Sequence, residues 1–281
     1  MKEPLITPAH LLAWRAHLLA EERSSGTIEG YLRHLRAFSR WLDDRPLEKA
    51  AVCDWREHLL GAGYAPATIN GMLAALHSYF HFRGWDELRV HYLRVQRRLF
   101  RNSDRALSMS DYHKLLRTAR RLRWSKLALI IETLGATGIR VSELCAITVN
   151  AARAGRADIR LKGKIRTILI PAKLCEKLLT FARARKRAQG PLFLSASGKP
   201  LSRQSIWRGL KRLARIAGVA PAKVFPHNLR HLFATVFYEK SRDIARLADL
   251  LGHSSIETTR IYLTIPASDY CQQLESLHLV E

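Results

Sequence analysis

The chain has 281 residues, 47% of them hydrophobic, and carries 47 Lys plus Arg against 24 Asp plus Glu, a formal charge of +23. The apolar fraction excludes a disordered polyelectrolyte, and the charge points to a polyanionic partner, because each cation set against a phosphate releases a condensed counterion. No apolar run approaches the ~20 residues of a membrane span; the N-terminus lacks a signal-peptide stretch; and Cys53, Cys145, Cys175 and Cys271 form no CxxC pair, so a cytoplasmic protein with reduced thiols is expected.

In chain order, Thr7-Pro8 pairs a capping side chain with proline at the first helical position and starts a helix with Leu11, Leu12, Trp14, Leu18 and Leu19 on its apolar side. A second helix follows Ser24-Ser25-Gly26-Thr27, with Ile28, Tyr31, Leu32, Leu35, Phe38, Trp41 and Leu42 stepping by threes and fours. A third covers about 49–60 and stops at Gly61-Ala62-Gly63. The fourth starts near Pro66 and puts Ile69, Met72, Leu73, Leu76, Tyr79 and Phe80 on one side. Four such helices make a small bundle, residues 1–93. Residues 94–105 hold five arginines with little periodicity and read as a basic linker.

Residues 106–281 carry most of the charge, a surplus of 19 cations against 4 for residues 1–105. Helices are expected at 110–121 and 126–136. The only strand signal, residues 158–171, alternates, breaks at Gly163 and resumes as a β-branched run, a hairpin with Lys162 beside the turn. Helices follow at about 172–187, 202–217, 227–239 and 242–251, and a last pair runs from 255 onward. Trp207 and the basic helix 203–215 fit either a DNA-facing surface or a solvated one.

Several polar residues sit where structure alone does not require them. Arg140 follows the glycine-bearing turn Gly135-Ala136-Thr137-Gly138-Ile139. His227 and Arg230 are three apart on one helix, and therefore on one side of it. His253 follows Leu251-Gly252, and Tyr262 lies nine residues later. Two arginines, two imidazoles and a lysine can stabilise the charge of a phosphodiester transition state, and a tyrosine ester preserves the energy of the broken bond. No carboxylate cluster suggests a two-metal site and no HExxH suggests zinc, so no metal or cofactor is expected.

The segment Ala136-Thr137-Gly138-Ile139-Arg140-Val141-Ser142-Glu143-Leu144 resembles the first box of the tyrosine recombinases, the phage-integrase family. Pro226-His227-Asn228-Leu229-Arg230-His231, then Leu250-Leu251-Gly252-His253, then Thr258-Thr259-Arg260-Ile261-Tyr262, resembles its second box. The resemblance covers about 120 residues, and the helical N-terminal segment is similar to the family's core-binding domain. It implies a mainly α fold: an N-terminal four-helix core-binding bundle, then a mostly helical catalytic domain with a small antiparallel β-sheet, the two closing as a clamp on duplex DNA. One bundle without an arm-binding domain is the Xer-like layout.

By the same resemblance Tyr262 is the nucleophile that takes the 3′ phosphate. Arg140 and Arg230 bind the scissile phosphate, and His227 and His253 handle protons and hydrogen bonds. The hairpin lysine that protonates the leaving 5′ oxygen is Lys162 or Lys164, with Lys162 favoured because it ends the first strand. His231 takes a supporting place, Glu143 either orients a basic neighbour or caps and packs, and Leu232 stands where the family often has a small residue. The family works as a homo-tetramer on paired DNA sites, through a Holliday junction; nothing in the sequence identifies an accessory protein or a second recombinase as a further partner. The tail from Pro266 to Val280 has a helix-like pattern that closes its own core or packs on a neighbouring subunit. Two alternatives fit parts of the sequence: a non-catalytic DNA-binding regulator of the same fold, disfavoured by the complete residue set, and a type IB topoisomerase, disfavoured by the bundle and short tail.

Overall fold

The computed structural model describes residues 6–95, 106–161, 164–253, 255–262, 271 and 274–277, with the side chains of 160, 161, 164 and 165 left out. Contacts divide the chain into two compact units, Met1–Arg97 and Arg98–Glu281. The architecture is mainly α with one two-stranded antiparallel sheet. Among the described residues no helix is long and apolar enough to cross a membrane.

The first unit holds α1 (Pro8–Ala20), α2 (Ser25–Leu42), α3 (Lys49–Gly61) and α4 (Pro66–Arg83). Their starts follow the local chemistry of the sequence. Thr7 Oγ1 accepts from the His10 amide ahead of Pro8, and Ser24 Oγ accepts from the Thr27 amide. The bundle closes on aromatic rings: Trp14 meets Tyr79 edge-on at 5.3 Å, and Phe38 meets Trp55 at 5.0 Å.

The second unit begins with α5 (Met109–Arg121) and α6 (Ser125–Thr137). Helix α5 starts a residue before the expected Ser110 because Ser108 and Asp111 form a reciprocal capping box. A 3-10 turn over Val141–Ala146 and the six-residue α7 (Val149–Ala154) come next; both are too short to show a helical period in the sequence. Strands β1 (Arg156–Leu161) and β2 (Lys164–Leu169) pair antiparallel from Arg156↔Leu169 to Leu161↔Lys164. Helix α8 (Ala172–Arg183) stops short of the expected 187 and is followed by Lys186 with φ +51°. Helices α9 (Arg203–Ile216), α10 (Pro226–Ser241), α11 (Ile244–Leu251) and α12 (Ile256–Arg260) complete the described α-helices. Of the tail expected at 266–280, only 271 and 274–277 are among the described residues.

Two packings bring the polar residues of the second unit together. Helix α6 is buried along most of its length and lies against α10, while β1 lies against the 3-10 turn. The end of α6, the start of α10 and the hairpin therefore meet in one place.

Candidate active site

Helix α6 ends at Gly138, whose φ of +63° favours glycine and whose missing side chain leaves room for the Phe233 ring of α10; an added Cβ would stand 2.8 Å from Phe233 Cε1. The chain turns there and delivers Arg140 to the head of the 3-10 turn. Buried Glu143 takes the Arg140 amide on Oε2 at 2.7 Å and the Arg140 guanidinium on Oε1 at 3.0 Å. Both readings of Glu143 thus hold: it caps the turn and it orients Arg140. The Arg140 side chain remains 40% exposed, tethered at one end and open at the other.

Helix α10 opens at Pro226 and carries His227 and, one turn on, Arg230. Arg230 is only 2% exposed. Its Nη1 donates to the Gly138 carbonyl at 2.7 Å, and its Nη2 to the Leu251 carbonyl at 2.7 Å and to His253 Nε2 at 2.8 Å. One guanidinium thereby ties the end of α6 to the end of α11. Burial, then the Arg140 charge, lowers its pKa, while hydrogen bonding with Tyr262 opposes the shift. The two guanidiniums repel each other, which favours an anion in the site.

The tautomer of His253 follows from its partners. Arginine can only donate, so Nε2 must accept, and the ring proton sits on Nδ1, 2.8 Å from Thr259 Oγ1. Burial first, then Arg230 and the other nearby cations, pushes its pKa down to about 4. Burial, Arg230 and Arg140 lower that of His227 as well. The site therefore presents neutral imidazoles beside fixed cations at neutral pH.

Tyr262 follows α12 and is 6% exposed, packed on Ala234, Leu247 and Leu251. Its ring lies 5.5 Å from His227, 5.3 Å from His231 and 5.6 Å from His253, the last nearly parallel at 15°. His231 itself meets Thr235 Oγ1 at 3.3 Å. Arg140, His227, Arg230, His253 and Tyr262 are thus gathered in one place, although they are scattered over more than a hundred residues. Lys162 lies outside the described residues, and Lys164 is described in its backbone alone. Among the described residues no group of three or more His, Cys, Asp or Glu could hold a metal ion.

Two further features adjoin the pocket or its unit. Arg166 of β2 reaches the Leu251 carbonyl at 2.5 Å and lies 3.7 Å from Glu143; no sequence motif marks it. On α9, Ile206, Leu210 and Leu213 are buried, while Arg203, Arg208, Arg212 and Arg215 face outward beside a half-exposed Trp207.

The neutral state of His253 makes a stability prediction. Its folded pKa lies below the unfolded value near 6.5, so between about pH 6.5 and 4 the unfolded chain binds more protons. The stabilisation is complete above that window and is lost as pH falls through it. His253→Gln, whose amide oxygen can still accept from Arg230, should flatten the fall in denaturation midpoint from pH 7 to 4.5. His77, also held near 4, is present in both proteins. Equal slopes would contradict the neutral assignment.

Residues 105–268 match the phage integrase family, and residues 11–87 match the N-terminal SAM-like domain of phage integrases. Tyrosine recombinase XerA of Thermococcus kodakarensis is 30% identical over 277 residues, covering 95% of each chain. Tyrosine recombinase XerD of Xanthomonas axonopodis pv. citri is 38% identical over 164 residues, 53% of this chain and 53% of that protein, so this match spans about half the relative's length. Among solved structures, a lambda integrase tetramer bound to a Holliday junction superposes with a TM-score of 0.72 at 20% identity, over 90% of this chain and 76% of that one.

Proposed function

The chain belongs to the phage integrase family, and we propose that it is a site-specific tyrosine recombinase that cuts and rejoins duplex DNA through Tyr262. The observation that carries this reading is the placement of the Tyr262 ring among three imidazoles and against a buried arginine. A phenol buried for packing alone has no need of that company. The +23 charge supplies the attraction for DNA.

In the proposed reaction the scissile phosphate sits between Arg140 and Arg230, which repel each other until it arrives. The Tyr262 oxygen attacks phosphorus, forming a 3′-phosphotyrosyl ester as the bond to the 5′ oxygen breaks. His227, held neutral by burial and its cationic neighbours, takes the phenolic proton. His253 accepts from Arg230 and keeps that guanidinium aimed at the developing charge. Lys162 protonates the departing 5′ oxygen. Attack of a 5′ hydroxyl from a partner strand reverses the steps and seals the exchange. Residues 1–93 serve as the core-binding domain, 94–105 as a linker along the backbone phosphates, and 106–281 as the catalytic domain. Four copies act on two paired sites.

The test separates recombination from simple relaxation. A DNA site is selected by binding from a randomised pool and built into a synthetic Holliday junction. Resolution of that junction into recombinant duplexes is the expected result. Relaxation of supercoiled plasmid without any resolution would favour a topoisomerase instead.

The lysine assignment has its own measurement. Lys162→Ala should cleave a normal duplex poorly and recover on a 5′-phosphorothiolate substrate, whose sulfur leaves without a proton. If Lys164→Ala alone shows that recovery, the acid is Lys164.

A further inference from the structure

Arg166 reaches inward from β2, and both of its acceptors already have a guanidinium. The Leu251 carbonyl takes Arg166 Nη1 at 2.5 Å and Arg230 Nη2 at 2.7 Å. Glu143 Oε1 lies 3.7 Å from Arg166 Nη1 and 3.0 Å from Arg140 Nη1. The remaining donors of Arg166, Nε and Nη2, are buried without a hydrogen-bond partner among the described residues. Its side chain is 14% exposed. A third cation buried among two others, with donors unmet, is unfavourable for folding. Deleting it would orphan neither acceptor, so its contribution to stability is small or negative.

The turn below it is shaped to receive it. A Cβ on Gly252 would fall onto Arg166 Cδ and stand 2.9 Å from its Nη1, and Gly252 has φ +63°. His253 leaves that turn and meets Arg230. Arg166 therefore touches the backbone that sets His253, the carbonyl that holds Arg230 and the carboxylate that holds Arg140.

We propose that Arg166 is a positioning residue that fixes the turn Leu251-Gly252-His253 and the partners of both phosphate-binding arginines in the geometry the cleavage step requires. The proposal rests on the phosphoryl-transfer reading of the pocket. Its role is exerted through its neighbours, and the unfavourable burial is the mark of a group present for function.

Full-length Arg166→Met and Arg166→Lys proteins test this with three readouts: the thermal midpoint, the His253 imidazole nitrogen spectrum, and single-turnover cleavage of a nicked duplex carrying the selected site. Arg166→Met should melt at or above the parent temperature and bind the duplex within about threefold. It should cleave about 10- to 100-fold more slowly at saturation, as expected for a displaced reacting group. His253 should lose its single Nδ1–H pattern, and Arg166→Lys, which restores a donor to the Leu251 carbonyl, should recover part of the rate. An unfolded Arg166→Met protein, an unchanged His253 spectrum or an unchanged rate constant at saturation would each overturn the proposal. Should the parent form no adduct, the cleavage reading fails separately, and the His253 spectrum alone decides whether Arg166 positions the turn.

Discussion

Arg230→Ala lowers the rate constant for strand cleavage at saturating DNA by about 10³- to 10⁵-fold, the range expected when an arginine that stabilises transferring phosphoryl charge is removed. Arg230 is buried and fixed at three acceptors, so its orientation is complete before substrate arrives and no reorganisation is required during reaction. Its loss also leaves the Gly138 carbonyl and His253 Nε2 short of a donor, which destabilises the fold by about 1–3 kcal/mol for each buried group left unmet. Arg230→Lys separates the two effects, because a lysine restores charge and one donor without the planar fork. Affinity for duplex should change little, since one contact is lost from a protein of +23 charge. Arg140→Ala should follow in the same direction by about 10²- to 10³-fold, being tethered through Glu143 and open to solvent on one side. Rapid-quench cleavage of a nicked duplex checks both, and a near-parental rate in either variant would remove that arginine from the phosphate clamp.

Tyr262→Phe is the largest effect expected, loss of covalent adduct by a factor on the order of 10⁶, as when an essential nucleophile is deleted. The substitution removes one oxygen and keeps the ring that packs on Ala234, Leu247 and Leu251, so the fold and DNA binding should persist. Tyr238 packs against the same apolar cluster and should not substitute. Gel-shift and melting curves that match the parent, beside an empty adduct lane, are the expected pattern.

Much of the molecule is legible in its sequence, for identifiable reasons. Capping and proline chemistry mark real helix starts, as at Thr7-Pro8 and Ser24. Of the three- and four-residue steps of α2, Ile28, Leu32, Leu35, Phe38 and Leu42 are buried while Tyr31 and Trp41 are half-buried against the same core. The 3-10 turn over Val141–Ala146 and α7 are not legible, because six residues contain too few apolar steps to define a period. Within the site, Arg140, His227, Arg230, His253 and Tyr262 stand out through joint spacing, and all five meet. Arg166 escapes because a single arginine in a basic hairpin carries no motif. A signal is nevertheless present: Ile168 and Ile170 are buried while Leu169 is exposed, so strand alternation puts residue 166 on the inward side, where a charge is out of pattern. Only the fold decides which side of an alternating strand faces inward. For Glu143, local sequence could not choose between capping and orienting because one carboxylate does both.

Tyr262 as the nucleophile is tested most directly by isolating the adduct trapped on a nicked duplex, digesting it with nuclease and protease, and sequencing the modified peptide by mass spectrometry. The expected product is a nucleotide joined through its 3′ phosphate to Tyr262, with a free 5′ hydroxyl on the released strand. Linkage through a 5′ phosphate, or attachment to any other residue, would contradict it.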